Sequence, residues 1–474
     1  MARPITRREI LQSAGCGFGY LALAGLTARA SGASPSNPLA PRPPILPARA
    51  KRVIFLFMQG GVSQVDSFDY KPLLARQDGK MMPFVDARRA ANTGMGGSEQ
   101  RVMPSPWRFE QHGECGRWAS RLFPEISRRV DDLCFLHGVH TEGVAHGPAT
   151  LFLHCGASNQ VRPSMGSWVL YGLGSENANL PGFVTIGPSP GNGGARNYGS
   201  AFLPAVYQGT ALGSATRPAS RATIRNLSNP AFSPEEQARG LDLLRGLNAE
   251  QARTRPGDRE LEAVVASHEL AWRMQRQAPG VLDLSRESKE TLALYGMDDP
   301  HTENFGRQCL LARRFCEEGV RFIQVTYGDG TANPAWDQHS NLPKHGEHAR
   351  AVDRPIAGLL VDLKRRGLLE DTLIWWGTEF GRTPYAEKNG TGRDHNPGGF
   401  TVWLAGAGVK PGFALGQTDE FGHLAVQDKV HMHDLHATIL HLLGLDHERL
   451  TFRYSGRDFR LTDVSGQVVR EILA

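Results

Sequence analysis

Cysteine is scarce and unclustered in this sequence: six residues in 474, with no CxxC pair among them. A structural zinc ribbon is therefore excluded as an organising element. Basic residues are scattered rather than massed. The net charge of +5 and pI near 8.9 come without the concentrated patch or stripe that nucleic-acid binding requires. Beyond the N-terminus no apolar run approaches the ~20 residues of a membrane span. No internal repeat and no fingerprint of a redox cofactor is present. What remains, 40% hydrophobic and 21% charged residues, is an ordinary soluble globular chain whose partners should be small or locally anionic.

The N-terminus carries an address. Thr6-Arg7-Arg8-Glu9-Ile10-Leu11 is a twin-arginine start, followed by the small and apolar run Gly15 to Leu26 and by Ala28-Arg29-Ala30. Residues 1–30 are read as an export signal rather than structure. That places the mature protein in the periplasm or outside the cell, with no stable membrane span. Cys16 falls inside the signal and leaves five cysteines, so at most two disulfides could form. Residues 31–50, rich in Pro, Ala and Ser, read as a stiff tether.

From residue 51 strand and helix patterns alternate to the C-terminus, which predicts a mainly parallel α/β sheet with helices on both faces. Lys51 to Met58, Leu133 to Leu136, Arg321 to Tyr327, Leu373 to Trp376 and Phe400 to Leu404 are short apolar runs of buried-strand length. Ala119 to Val130 and residues 234–319 read as helical, the latter opening on Ser233-Pro234-Glu235-Glu236. Residues 75–118 and 156–232, the second crowded with Gly, Pro, Asn and Ser, read as insertions over the sheet.

The chemistry gathers at the ends of the predicted strands, where open α/β sheets bind ligands. Asp371-Thr-Leu-Ile-Trp-Trp-Gly377 stops abruptly and delivers Glu379 and Arg382. Gly392-Arg393-Asp394-His395 follows on a glycine-rich loop, and Trp336-Asp337-Gln338-His339 comes after another strand. A mixed set of carboxylates and imidazoles suits a divalent metal such as Zn, Mn or Ca. Asp337, His339, Glu379 and His395 are the candidate ligands, with Asp394 beside them. Arg382 and Arg393 could clasp a phosphate or sulfate bidentately, or Arg382 could simply pair with Glu379. Gln59, at the end of the first strand, is a further candidate for substrate contact. His431, His433, Asp434, His436 and His441 form a second cluster, read as structural, with Asp434 marking a helix start. His345 and His348 read as an exposed helix face.

These segments carry a resemblance. VIFLFMQGGVS at 53, HGPATLFLHCG at 146, WDQH at 336, TLIWWGTEFGRTP at 372, GRDH at 392 and HDLHATILHLLGLD at 433 resemble the alkaline phosphatase and sulfatase superfamily. More closely, nearly the whole mature chain resembles a large bacterial family of exported proteins of unknown function within it. The resemblance implies an alkaline-phosphatase-like sheet, metal ligands at Asp337, His339 and Glu379, and an anionic ester substrate such as a sulfated or phosphorylated glycan. It also exposes departures. Gln59-Gly60 stands where sulfatases hold a metal-binding Asp pair, and His146 stands at the nucleophile position. His146 could be nucleophile, base or ligand. Cys155 lacks a partner base and is a poor substitute. A non-catalytic binding or scaffold protein on the same fold is the rival expectation.

Overall fold

The computed structural model describes residues 37–85, 97–225, 227, 231–254, 258–387 and 390–474. The export signal read over 1–30 lies outside them. In chain order the elements that matter are β1 (Arg52–Met58), β2 (Leu133–His140), α1 (His146–Cys155), α2 (Met165–Leu173), β3 (Phe183–Ile186) and β4 (Thr210–Leu212). There follow α3 (Glu303–Glu317), β5 (Phe322–Tyr327), α4 (Lys344–Arg365), β6 (Thr372–Gly377), β7 (Gly381–Ala386) and β8 (Arg393–Asn396). The chain closes with β9 (Phe400–Ala405), β10 (Ala414–Leu415), β11 (Val430–His431) and α5 (Met432–Leu442).

Nine strands form one sheet in the order β10-β2-β9-β6-β1-β5-β3-β4, with β11 also pairing with β2. β1 runs parallel to both β6 and β5, and β3 parallel to β5 and β4. Only β9 runs against its neighbours, antiparallel to both β6 and β2. The sheet is thus mainly parallel, and its centre has no polar face. Ile54, Phe55, Leu56 and Phe57 are all at most 1% exposed, which requires cover on both sides. Phe55 stacks on Trp375 at 3.7 Å and meets His154 of α1 on one face. Trp376 turns to the other face, against Phe68, Phe123 and Trp403. Each such buried ring contributes roughly 1.5–3 kcal/mol.

Several local expectations change in three dimensions. From residue 37 the proline-rich stretch is no free tether, because Ile45 and Leu46 N–H donate to Gly444 O and Ala50 N–H to Leu442 O. The segment 156–232 supplies α2 and two sheet strands, β3 and β4, so part of it is core rather than excursion. Ala119 to Val130 is mostly not helical: Arg117–Ser120 is a strand paired with Phe109–His112, Pro124–Ser127 makes one α-helical turn, and a 3-10 turn starts at Val130. The GRDH segment is also strand, since β8 pairs antiparallel with β7 and Arg382 faces His395 across the hairpin. Backbone pairing, invisible in a short glycine-flanked sequence, overrides its loop-like composition. Cys115, Cys134, Cys155, Cys309 and Cys316 are all free thiols.

What matters for function is that β1, β5 and β6 are adjacent and parallel. Their carboxyl ends, Gln59 to Gly61, the loop reaching Asp337, and Thr378-Glu379, therefore meet at one edge of the sheet.

Candidate metal centre

Asp337 is set in place by its neighbour. Trp336 is fully buried and packs edge-on against His345 at 5.0 Å. Its N–H donates to Gln59 O at the end of β1, and Asp337 N–H donates to Pro334 O. The approach is close: a Cβ on Gly60, whose φ is +119°, would lie 2.7 Å from Trp336 N and 2.8 Å from Asp337 N. Gly392 is similarly pressed, its missing Cβ 2.2 Å from His339 O, which locks the β8 hairpin onto the Asp337 loop.

Asp337 Oδ1 then gathers three imidazoles. His339 Nε2 lies 2.8 Å away, His146 Nε2 and His395 Nε2 each 3.1 Å. His339 Nε2 and His395 Nε2 are 3.0 Å from each other. Behind each ring stands an acceptor for the other nitrogen. Glu379 Oε1 is 2.7 Å from His146 Nδ1, Glu387 Oε2 is 2.5 Å from His339 Nδ1, and Val144 O is 2.7 Å from His395 Nδ1. A carbonyl and two carboxylates only accept, so in the neutral rings Nδ1 holds the proton and Nε2 the lone pair. Three lone pairs and an anionic oxygen are thus aimed at one another. His146 Nε2, buried, has no aligned hydrogen-bond partner despite its distance from Asp337.

Electrostatics follow from that crowding. Burial pulls the His146 pKa down, but its carboxylate neighbours Asp337 and Glu379 overcome this and raise it above the ordinary histidine value. His339 behaves alike: burial is outweighed by Asp337 and Glu387, and its pKa is lifted to about 8. For Asp337, burial alone would push the carboxyl upward. The surrounding imidazoles and the Arg382 guanidinium hold it far below the usual carboxylate range.

Such a set could hold a cation. Among the described residues, His146/Asp337/His395 and His339/Asp394/His395 each bring ligand atoms within 4.8 Å of one another. Two tetrahedral ligands on bonds of ~2.0–2.1 Å stand about 3.3 Å apart, close to the 2.8–3.1 Å between these atoms. The unpaired His146 Nε2 and the acceptor behind each ring fit a metal-binding imidazole and its supports.

Other candidates are placed differently. Glu379 does not join the converging set. It is fully buried behind His146 and accepts Gly60 N–H at 2.9 and 3.0 Å on its two oxygens. Arg382, read as an anion clamp, is also fully buried with its guanidinium spent. It donates to Gly61 O, Gly60 O, Arg393 O, Trp336 O and, at 2.7 Å, Asp337 Oδ1. Arg393 is equally committed, to Asp66 at 2.7 and 3.1 Å and to the carbonyls of Thr383, Met103 and Pro104. Both guanidinium groups are thus engaged with interior acceptors, which would be left unpaired without them. Gln59 is buried with its amide unpaired and presses on Gly328. Asp394 lies 3.7 Å from His339 Nδ1 and accepts His395 N–H.

The second histidine cluster is structural in its contacts. His431 caps α5 in a capping box with Asp434, while His433 Nε2 and His436 Nε2 donate to Gly156 O and Leu153 O. His345, read as exposed, is fully buried and accepts Ser63 N–H. Burial pushes the Cys155 thiol up to about 12, which removes it as a nucleophile. Glu387 was not legible beforehand: a lone Glu on a hairpin carries no sequence signal.

Residues 50–473 match the family described as Protein of unknown function (DUF1501). The chain belongs to that family. No curated protein matches the sequence. Among solved structures similar to this DUF1501 member is the PsFucS1 sulfatase from Pseudoalteromonas sp., at 13% identity and TM-score 0.36, with 86% of this chain and 69% of that chain covered. The lipoteichoic acid synthase LtaP from Listeria monocytogenes gives 9% identity and TM-score 0.34, covering 90% and 78%. Alkaline phosphatase from the Antarctic bacterium TAB5 gives 13% and 0.29, covering 79% and 96%. These likenesses are faint, and the fold described above stands on its own sheet order.

Proposed function

We propose that this protein is exported by the twin-arginine route to the periplasm or cell exterior and acts there as a metal-dependent hydrolase of sulfate or phosphate esters. The convergence of His146, His339 and His395 Nε2 on Asp337 Oδ1 carries the reading. Three nitrogens and one oxygen suit Zn or Mn better than Ca, which takes oxygen ligands. When bound, the metal supplies Lewis acidity and a water of lowered pKa.

The chain's own residues supply the rest. Glu379, Glu387 and Val144 O keep the three protons on Nδ1, so every Nε2 stays aimed inward. Arg382 fixes Asp337. With the His146 Nε2 lone pair assigned to the metal and Cys155 buried as a thiol, water is the attacking group in this reading. His339, at 22% side-chain exposure against 2–7% for the other three, marks the open side, where the ester would enter. The substrate would be a small anion or a sulfated or phosphorylated glycan.

A second reading is a non-catalytic metal-binding protein. Four side-chain donors can close a tetrahedral shell, as in structural zinc sites, and both nearby arginines are consumed by the fold. Elemental analysis of the exported protein, with turnover of aryl sulfate and aryl phosphate esters and a His146→Ala control, separates the two. Near-stoichiometric metal with turnover, both lost in the variant, supports the hydrolase. Metal without turnover supports the second reading, and no metal after supplying Zn or Mn overturns both.

A further inference from the structure

Away from the metal centre, the hairpin Phe109–His112/Arg117–Ser120 presents aromatic rings that the core does not use. Trp118 is 41% exposed and Tyr70 37%. Tyr70 lies between Trp118, centroids 4.5 Å apart, and Phe109, 5.0 Å apart. The three rings form one aromatic cluster in which Trp118 and Tyr70 stay partly exposed. Beside it is an open cavity of about 170 Å³, lined by Tyr70, Trp118, Phe135, Asp69, Arg117 and His137.

The cavity also has polar lining, and its polar groups are held in place. Asp69, buried, accepts from Thr418 Oγ1 and lies 3.0 Å from Lys71 Nζ. His137, stacked on Phe135, hydrogen-bonds through Nδ1 to Thr401 Oγ1 at 3.1 Å. Arg117 donates Nε and Nη2 to Gly412 O at 3.2 and 3.1 Å. Among the described residues no hydrogen bond engages its Nη1. The cavity is thus amphipathic: aromatic rings line it together with a carboxylate, an imidazole and a guanidinium.

We infer that this cavity is a carbohydrate subsite, stacking one sugar ring on Trp118 while Arg117 meets an anionic substituent of that ring. Sugars offer this pairing of an apolar C–H face with a hydroxyl rim, and aromatic side chains with a polar neighbour recognise it. The cavity is smaller than the roughly 300–1,000 Å³ of ordinary small-molecule sites. It therefore fits one residue of a longer chain, and it does not depend on what the metal centre does.

Affinity electrophoresis of the full mature chain through gels containing ι-carrageenan, fucoidan or alginate, with neutral agarose as reference, tests this. A basic protein is slowed by any polyanion, so the deciding variant leaves charge untouched: Trp118→Ala should weaken retardation roughly tenfold, and Trp118→Phe should restore most of it. Arg117→Gln should weaken binding to the anionic gels only. Trp118 is exposed, and an unchanged melting temperature will verify that the variant folds. No retardation in any anionic gel, equal retardation of Trp118→Ala and the native chain, or equal binding to agarose would overturn the assignment. Because Trp118 and Arg117 are no part of the metal centre, metal content and ester turnover on small aryl substrates should not move.

Discussion

Glu379 stands behind His146, its Oε1 2.7 Å from Nδ1, on the side of the ring away from the crowded Asp337 oxygen. In the proposed metal centre it orients a ligand and is not one. Removing it should therefore weaken metal binding without abolishing it. Glu379→Gln is expected to raise the metal Kd about 10–100-fold, whereas His146→Ala and Asp337→Ala should leave no measurable stoichiometric binding. Competitive titration with a chromogenic chelator measures both. Complete loss of metal in Glu379→Gln with retention in His146→Ala would reverse the two roles.

Metal affinity should depend on pH. His339 must lose its proton to offer Nε2, and its pKa is raised to about 8. Binding should tighten by roughly tenfold per pH unit up to about 8 and then level off. In the metal-free protein the same group acts in the opposite sense. Its pKa is raised on folding from 6.5, so its contribution, at most about 2 kcal/mol, is present below 6.5 and lost as pH rises to about 8. Isothermal titration and thermal melts of the apo protein between pH 6 and 9 check both, and a flat affinity profile would contradict the assignment.

Arg382 is a structural cation. Arg382→Ala takes the donor away from four buried carbonyls and from Asp337 Oδ1, and should cost about 3–5 kcal/mol in urea unfolding. If the variant keeps its stability and loses only substrate affinity, the residue faces substrate after all.

Gly60 cannot take a side chain. Alanine there must adopt φ near +119° and push into the backbone of Trp336 and Asp337. Gly60→Ala should cost about 1–3 kcal/mol and, by displacing Asp337, lower metal affinity as well. A stable variant with native metal content would show that the Asp337 loop can yield.

His436 supplies the control. It is fully buried and donates to Leu153 O, and it belongs to neither converging ligand set among the described residues. His436→Ala should destabilise the fold by about 1–3 kcal/mol while metal stoichiometry stays unchanged; lost metal would implicate the second cluster.

The sequence by itself determined a good deal here. Continuous apolar runs at β1 and β6 identify buried parallel strands, because only strands covered on both faces can dispense with polar alternation. The run of Asp337, His339, Glu379 and His395 after strand patterns of this kind marked a candidate site. The tertiary structure alone decided which of these atoms converge. Asp337 and His395 are 58 positions apart yet 3.1 Å from each other, and a distance of that kind is set by sheet order, not by spacing along the chain. It also decided which charges are spent. Arg382 and Arg393 look the same in sequence whether they face solvent or carbonyls, and only the folded chain shows both guanidinium groups buried against interior carbonyls, Asp337 and Asp66.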